Sequence, residues 1–407
     1  MENNDKKRVL FFAEGVTLAH VVRPYTLAQS LDKSKYEVAF ATSDDYKFVQ
    51  VDSEITHYSI MSIGSQAFID RVDMCQSLYS RDEIISYVND DLKVIDDFSP
   101  DIIVGDFRLS LCISTRLRDV FYTGLINAYW SPFAKNQPLP IPEHRHINMS
   151  GLPFFKALMK FITPIVFHVQ GKAINGARQH FGLSKFKHCL DGWTFADHLL
   201  FYDTPDLVPL NDDSRAQKYD FIGPVHWNPK IDHSEILATI DQDKQLVYVA
   251  MGSSGNTKVI KRIIQHVLSL SYVVIVGTSN QSLGFEKDFA GQEVYFEPLV
   301  DGNDIAKRAS LVICNGGSPT AYQALAQGTP VIGIPSNMDQ LLAMRFIEDA
   351  EAGKLVRFRD VNKQLFSDTI KQIVSYDELS AGAKKVQRYM SAFDAKSNFS
   401  SYLDNLA

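Results

Sequence analysis

The sequence predicts an α/β protein made of two successive βα lobes, each built on a parallel sheet. Three observations carry this expectation. Short apolar runs alternate with segments of helical period, which implies parallel strands joined by crossover helices. The alternation stops in a polar stretch around Pro229 and then restarts. Glycine turns follow strand-like runs and lead into helical segments.

In the first half, Arg8–Ala13 reads as a buried strand, Ala19–Leu31 as a helix and Tyr36–Thr42 as a second strand. Asp101–Asp106 and Gly124–Ala128 follow as further strands. In the second half, Leu246–Gly252 is a strand and Val259–Leu268 a helix. Strands are then expected at Tyr272–Gly277, Glu293–Phe296, Leu311–Cys314, Val331–Ile334 and Lys354–Phe358. Ala381–Leu403 has helical spacing. The expected organisation is a first Rossmann-like lobe over 1–226 and a linker over 227–245. A second Rossmann-like lobe covers 246–380, and a C-terminal helix over 381–407 crosses back to the first. Ligands in open α/β sheets bind beyond the carboxyl ends of the strands, so two facing lobes would present two such edges across one cleft.

Composition narrows the function. The chain has 407 residues and a net charge of -7, which disfavours a general nucleic-acid binder. It has 4 cysteines, with no C-x-x-C pair; Cys112 and Cys314 sit in apolar runs and suit a reducing, cytoplasmic setting. Met1 to Arg8 lacks the apolar core of a signal peptide. The most apolar segment, Leu152–Val169, is broken by Lys156, Lys160, Pro164 and His168; its flanking lysines would suit a peripheral membrane contact.

The most informative stretch is Leu311 to Ala343 (LVICNGGSPTAYQALAQGTPVIGIPSNMDQLLA). A strand ends at Cys314, Asn315-Gly316-Gly317 forms a turn, Ser318 is a suitable N-cap and Pro319 suits a first helical position. Such a turn offers free N–H groups and the positive end of a helix to a phosphate. The plain alternative is an ordinary βα turn. Asp339 and Gln340 follow the next strand, where an acid–amide pair can both accept from and donate to sugar hydroxyls; Asp339 could instead cap the helix it begins.

This stretch resembles the donor signature of family 1 glycosyltransferases, the UDP-glycosyltransferase superfamily of GT-B fold, in its bacterial natural-product and macrolide-type branch. Gly316, Gly317, Thr320, Ala324, Leu325, Gly328, Pro330, Pro335, Asp339 and Gln340 stand at the family's spacing. Gly252-Ser253 resembles its phosphate-contacting turn, and Phe296-Glu297-Pro298-Leu299 the loop where the nucleobase stacks. There are departures. Asn315 stands for a histidine, Pro319 for a residue with an N–H, Gln323 for the glutamate that would hold the ribose, and Ala343 for an asparagine. They leave the nucleotide open between UDP and dTDP.

Glycosyl transfer needs a base at the acceptor hydroxyl, and histidine titrates in the right range. His20 follows the first strand and opens the first helix, and Asp106 ends the strand Asp101–Asp106. Both fall at carboxyl edges of one sheet. The bland alternatives are a locally bonded histidine and a strand-end cap. The resemblance implies His20 as base and Asp106 as its orienter, although Pro24 comes one place later than in the family's G-x-G-H-x-x-P turn. In the family the region 128–169 helps form an acceptor pocket, which brings in Trp130, Phe133, Phe155 and Met159, with Thr17 from the turn before His20.

Asp241-Gln242-Asp243 spells a metal-holding D-x-D but sits in a polar stretch and reads as solvated surface; His144-Arg145-His146 reads as a polar loop. The expectation is an inverting hexosyltransferase that needs neither metal nor cofactor. Its partners are a UDP- or dTDP-sugar and a small apolar alcohol or phenol. The competing classes are a nucleotide-sugar epimerase and a non-catalytic nucleotide-sugar-binding protein.

Overall fold

The computed structural model describes residues 6–73, 76–135, 140, 170–187, 189–211, 218–229, 231–252 and 257–406. Those up to 135, those from 170 to 227 and those from 393 onward form one compact unit; residues 228–392 form the other.

The first unit holds a seven-stranded parallel sheet, with strands β1 (Lys7–Ala13), β2 (Tyr36–Thr42), β3 (Thr56–Ser59), β4 (Ile102–Asp106), β5 (Phe121–Ile126), β6 (His198–Phe201) and β7 (Lys218–Phe221). Their order is β3-β2-β1-β4-β5-β6-β7. Side chains alternate across a strand, and β1 shows both faces in use. Val9, Phe11 and Ala13 pack with Phe40, Tyr25 and Phe399 on one side. Leu10 and Phe12 pack with Ile103, Ile95 and Phe98 on the other. A sheet covered by helices on both faces explains why β1 is a continuous apolar run rather than an alternating one.

The second unit repeats the plan with six parallel strands: β8 (Leu246–Ala250), β9 (Val273–Gly277), β10 (Val294–Glu297), β11 (Leu311–Cys314), β12 (Val331–Gly333) and β13 (Gly353–Leu355). Their order is β10-β9-β8-β11-β12-β13. Each unit is thus a doubly wound Rossmann-like lobe, the pair of lobes that defines GT-B proteins.

The structure departs from the sequence reading in several places, among them the last strand: β13 ends at Leu355, and Phe358, expected to end it, begins a 3₁₀ turn over Phe358–Asp360. β3, β6 and β7 were not anticipated: each has only four residues, and β3 and β7 are edge strands with no fully buried position. β5 spans Phe121–Ile126, and Ala128, expected to end it, instead begins the single 3₁₀ turn Ala128–Trp130. The stretch taken as a polar linker contains a helix, Ser234–Thr239. There, His233 is buried and its Nε2 accepts from the Asp301 N–H at 2.9 Å. The C-terminal segment is two helices, Asp377–Ser391 and Ala395–Asn405, not one. Asp394 breaks the run by capping the second helix, accepting from the backbone of Lys396 and Ser397. Phe393 lies so close to Gly223 (φ 88°) that a Cβ there would be 2.4 Å from the Phe393 Cβ.

Candidate active site

In each sheet the strand order reverses at a central pair, β1/β4 in the first and β8/β11 in the second. His20 and Asp106 lie at the carboxyl ends of β1/β4, and Gly252 and the Asn315–Gly317 turn at those of β8/β11, where open α/β sheets hold ligands; Asp339 and Gln340 follow β12, and Phe296 to Leu299 lie at the end of β10.

In the first unit, Ala13 lies opposite Asp106 in the parallel register. The chain leaves β1, turns, and enters the helix Leu18–Ser30, which carries His20 in its first turn. His20 Nδ1 is 2.7 Å from Asp106 Oδ1, with the imidazole side chain 22% exposed and the carboxylate 2%. The other carboxylate oxygen accepts from the Tyr202 hydroxyl at 2.7 Å and lies 3.5 Å from an Arg23 nitrogen. Arg23 also donates to Asn127 Oδ1 at 3.0 Å and sits 4.0 Å from the centre of the Tyr202 ring. Burial and the neighbouring Asp106 push the Tyr202 phenol far above its ordinary range, so it stays a donor. Against an ionised Asp106 the imidazole proton belongs on Nδ1, which leaves Nε2 as a proton acceptor. Pro24 lies within the helix and has no N–H to offer the His20 carbonyl.

Two further features surround this pair. The His20 ring stacks on Phe107 with centroids 4.3 Å apart and planes 16° apart; Phe107 in turn stacks on Trp193 at 4.3 Å and 18°. Beyond Phe107, Arg108 is fully buried between two acids. It donates to Glu14 at 2.8 Å, to Asp91 at 2.9 and 3.0 Å, and to the Met61 carbonyl at 2.6 Å. Burial raises the carboxyls of both Glu14 and Asp91, with the Arg108 charge opposing it. Glu14 lies in the turn that precedes the His20 helix, so this ion cluster fixes the entry to that helix.

In the second unit, β11 ends at Cys314 and the helix Ser318–Ala326 begins after a turn with Gly316 at φ 80°. A Cβ on Gly316 would lie 2.5 Å from Met344 Cγ, so this turn tolerates only glycine. The N-cap is Gly317, one residue earlier than expected. The buried Asn315 explains the shift: its Oδ1 accepts from the Gly317 N–H at 3.0 Å and shapes the turn from within. Gly252, at φ 62°, lies in the turn after the neighbouring strand β8, beside Asn315. Ser318 is buried and Thr320 half-buried in the first helical turn.

Gln323 donates to Asn228 and lies over Gly302. The helix Met338–Asp349 is capped by Asn337, so Asp339 is not its N-cap and lies half-buried in its first turn. Gln340 is buried; its Oε1 accepts from the Ser336 N–H at 2.7 Å and braces the turn after Pro335. Phe296 packs against the core of this lobe, while Pro298 and Leu299 are exposed.

Residues 246–398 match the model of the glycosyltransferase family 28 C-terminal domain. Over 387 residues the chain is 34% identical to the PGL/p-HBAD biosynthesis rhamnosyltransferase of Mycobacterium bovis (strain BCG / Pasteur 1173P2), covering 94% of this chain and 84% of that protein. The chain belongs to the same glycosyltransferase family as this relative. Solved structures agree on the fold. The glycotransferase of kitacinnamycin superposes with a TM-score of 0.73 at 13% identity, covering 99% of this chain and 100% of that one. The spinosyn rhamnosyltransferase SpnG complexed with thymidine diphosphate gives 0.70 at 16% identity, covering 98% and 100%.

The remaining expected positions of this glycosyltransferase fall as follows. Thr17 occupies the N-cap position of the His20 helix in extended conformation, without a side-chain cap bond. Trp130 is half-buried at the end of a 3₁₀ turn. Phe133 is 2% exposed and stacks on Tyr219 at 5.3 Å, which commits its ring to packing. Ser253, Phe155, Met159 and His144-Arg145-His146 lie outside the described residues. Asp241-Gln242-Asp243 is an exposed turn in which the Asp243 N–H donates to Asp241 Oδ1 at 3.0 Å. Among the described residues no helix is long and apolar enough to cross a membrane.

Sequence reasoning missed Arg23, Tyr202, Phe107 and Trp193. Phe107 carried a signal, since it directly follows the strand-end aspartate. Tyr202 carried none, because it reaches Asp106 from 96 residues away.

Proposed function

We propose that this glycosyltransferase moves a 6-deoxyhexose from a thymidine diphosphate donor to a hydroxyl of an apolar, phenol-like acceptor, with inversion and without a metal ion. The carrying observation is the 2.7 Å contact between His20 Nδ1 and a buried Asp106 that is itself held by Tyr202 and Arg23. The relative named for rhamnosyl transfer supports the sugar, and SpnG's thymidine diphosphate complex supports the nucleotide. The apolar character of 128–169 and the aromatic rings beside His20 support the acceptor.

In this reading the acceptor hydroxyl gives its proton to His20 Nε2 as its oxygen bonds to the anomeric carbon. The bond from that carbon to the diphosphate oxygen breaks on the opposite face. Asp106 stabilises the imidazolium that forms. Backbone N–H groups in the first turn of the helix Ser318–Ala326, and the dipole of that helix, take up the diphosphate charge. The free, buried thiols of Cys112 and Cys314 accord with a cytoplasmic setting.

The test combines TDP-rhamnose or UDP-glucose with a phenol panel and reads the products by mass spectrometry. Transfer from TDP-rhamnose is expected, and it survives EDTA. His20→Ala should abolish transfer while calorimetry shows TDP binding unchanged. Equal loss of both removes His20 from the chemistry, and an absolute manganese requirement refutes the metal-free mechanism.

A further inference from the structure

Asp106, Phe107 and Arg108 are consecutive, and each holds the His20 unit in a different way. Asp106 fixes one ring nitrogen. Arg108 anchors Glu14 in the turn ahead of the helix. Phe107 covers one face of the imidazole, nearly parallel, and is itself backed by Trp193 and met edge-on by Phe68 at 5.8 Å. A hydrogen bond at one nitrogen leaves the ring free to swing about that point. A parallel face at 4.3 Å sets the plane, and the two together set where Nε2 points.

The backbone gives an independent reason to assign a role to this ring. Phe107 has φ 58°, in the left-handed region that bulky residues rarely occupy and glycine occupies freely. A phenylalanine held there is an outlier of the kind that clusters at functional sites. The strained conformation lets Asp106 point at His20 while the next side chain folds back over the same imidazole.

We propose that Phe107 is a positioning residue for His20: its ring fixes the imidazole plane and its π face favours the imidazolium formed when the acceptor proton arrives. The inference rests on His20 being the base. Cations are attracted to aromatic faces, so the stack stabilises the protonated ring beyond what Asp106 does. Among the described residues, the charged and titratable groups around the ring are Asp106 directly, and Arg23 and Tyr202 through it. Glu14 and Arg108 are engaged with each other in the adjoining ion cluster.

The experiment compares wild type, Phe107→Leu, Phe107→Gly, Phe107→Trp and His20→Ala in the transfer assay across pH. Phe107→Leu is expected to lower kcat about tenfold by loosening the base. Its acid limb should move toward lower pH by about half a unit, because the protonated ring loses its cation–π partner. Phe107→Gly suits the positive φ and keeps the fold while removing the ring, so it should behave like Phe107→Leu. Phe107→Trp restores both rate and limb.

The proposal is overturned if Leu and Gly variants match wild type in rate and limb while His20→Ala is inactive. It is equally overturned if the rate falls with an unmoved limb and Trp fails to rescue it, which reduces Phe107 to packing. If His20→Ala keeps transferring, the base assignment itself falls, and the role of the stack with it.

Discussion

In the function proposed above, the two strand-end sites of this glycosyltransferase meet opposite needs with opposite materials. The His20 corner is made of side chains: an imidazole, a carboxylate, a phenol and a guanidinium within hydrogen-bonding or ion-pair reach of one another, with a second buried ion cluster behind them. The Gly316 corner is made of backbone. Its shape comes from a positive φ, from the absence of a Cβ against Met344, and from a neutral asparagine bonded back to its own turn. A base needs a particular proton affinity, which only side chains tune. A diphosphate needs several donors at close range, which a glycine turn at a helix start supplies without any charged residue. Damage to the first corner should therefore appear in the chemical step, and damage to the second in donor affinity.

Asp106→Asn is the strongest probe of this division. The amide cannot stabilise an imidazolium and can press its own N–H toward Nδ1, forcing the wrong tautomer. A fall in kcat of about 10²–10⁴ is expected with TDP affinity intact, measured by steady-state kinetics beside calorimetry. A parallel loss of TDP affinity would mean that the two corners are not functionally separate.

Gly316→Ala should act on the other side. The new methyl meets Met344 in a backbone conformation that disfavours any side chain. A destabilisation of about 1–3 kcal/mol is expected in denaturant titration, accompanied by weaker TDP binding. Unchanged TDP affinity in the folded variant would take the turn out of the donor site.

The smallest effect concerns the ion cluster behind the base. Burial holds the Glu14 carboxyl above its ordinary value of 4.5 even though Arg108 pulls it down. The folded chain therefore keeps this proton longer than the unfolded chain, and the Glu14 contribution to stability falls as pH rises past the unfolded value. Glu14→Gln removes that dependence. Thermal melts should show the variant gaining stability relative to wild type as the pH rises above the ordinary Glu14 value of 4.5. A variant that instead loses ground over this range would show that the pairing with Arg108 outweighs the cost of burial.

Much of this arrangement was legible in the sequence because it is local. β1, β2, β4 and the central strands of the second lobe are apolar runs buried on both faces, and the glycine turn lies within a few residues of its strand. Strand ends made a pairing of His20 with Asp106 plausible, and the family resemblance singled it out over the local alternatives. The short strands β3, β6 and β7 could not, since residues such as Thr56–Ser59 acquire strand structure only from the neighbour they pair with. Arg23 looked like any helical arginine, and nothing in its spacing foretold a partner from β4. The N-cap positions slipped by one or two residues for a similar reason. Ser318 and Asp339 have the right chemistry, but Asn315 and Asn337 reach the turns first.

The division of the chain also bears on how the molecule is made. The helix Ala395–Asn405 belongs to the first lobe, where Phe399 lies against Phe11 and Tyr36 donates to Asp404 at 2.6 Å. A ribosome therefore releases most of the first lobe long before the segment that closes its core. The apolar floor around Phe11 waits for a plug that emerges some 380 residues later. The lobe made earlier of the two is therefore the later one to be completed, and in that interval its apolar core stays open to solvent and to association.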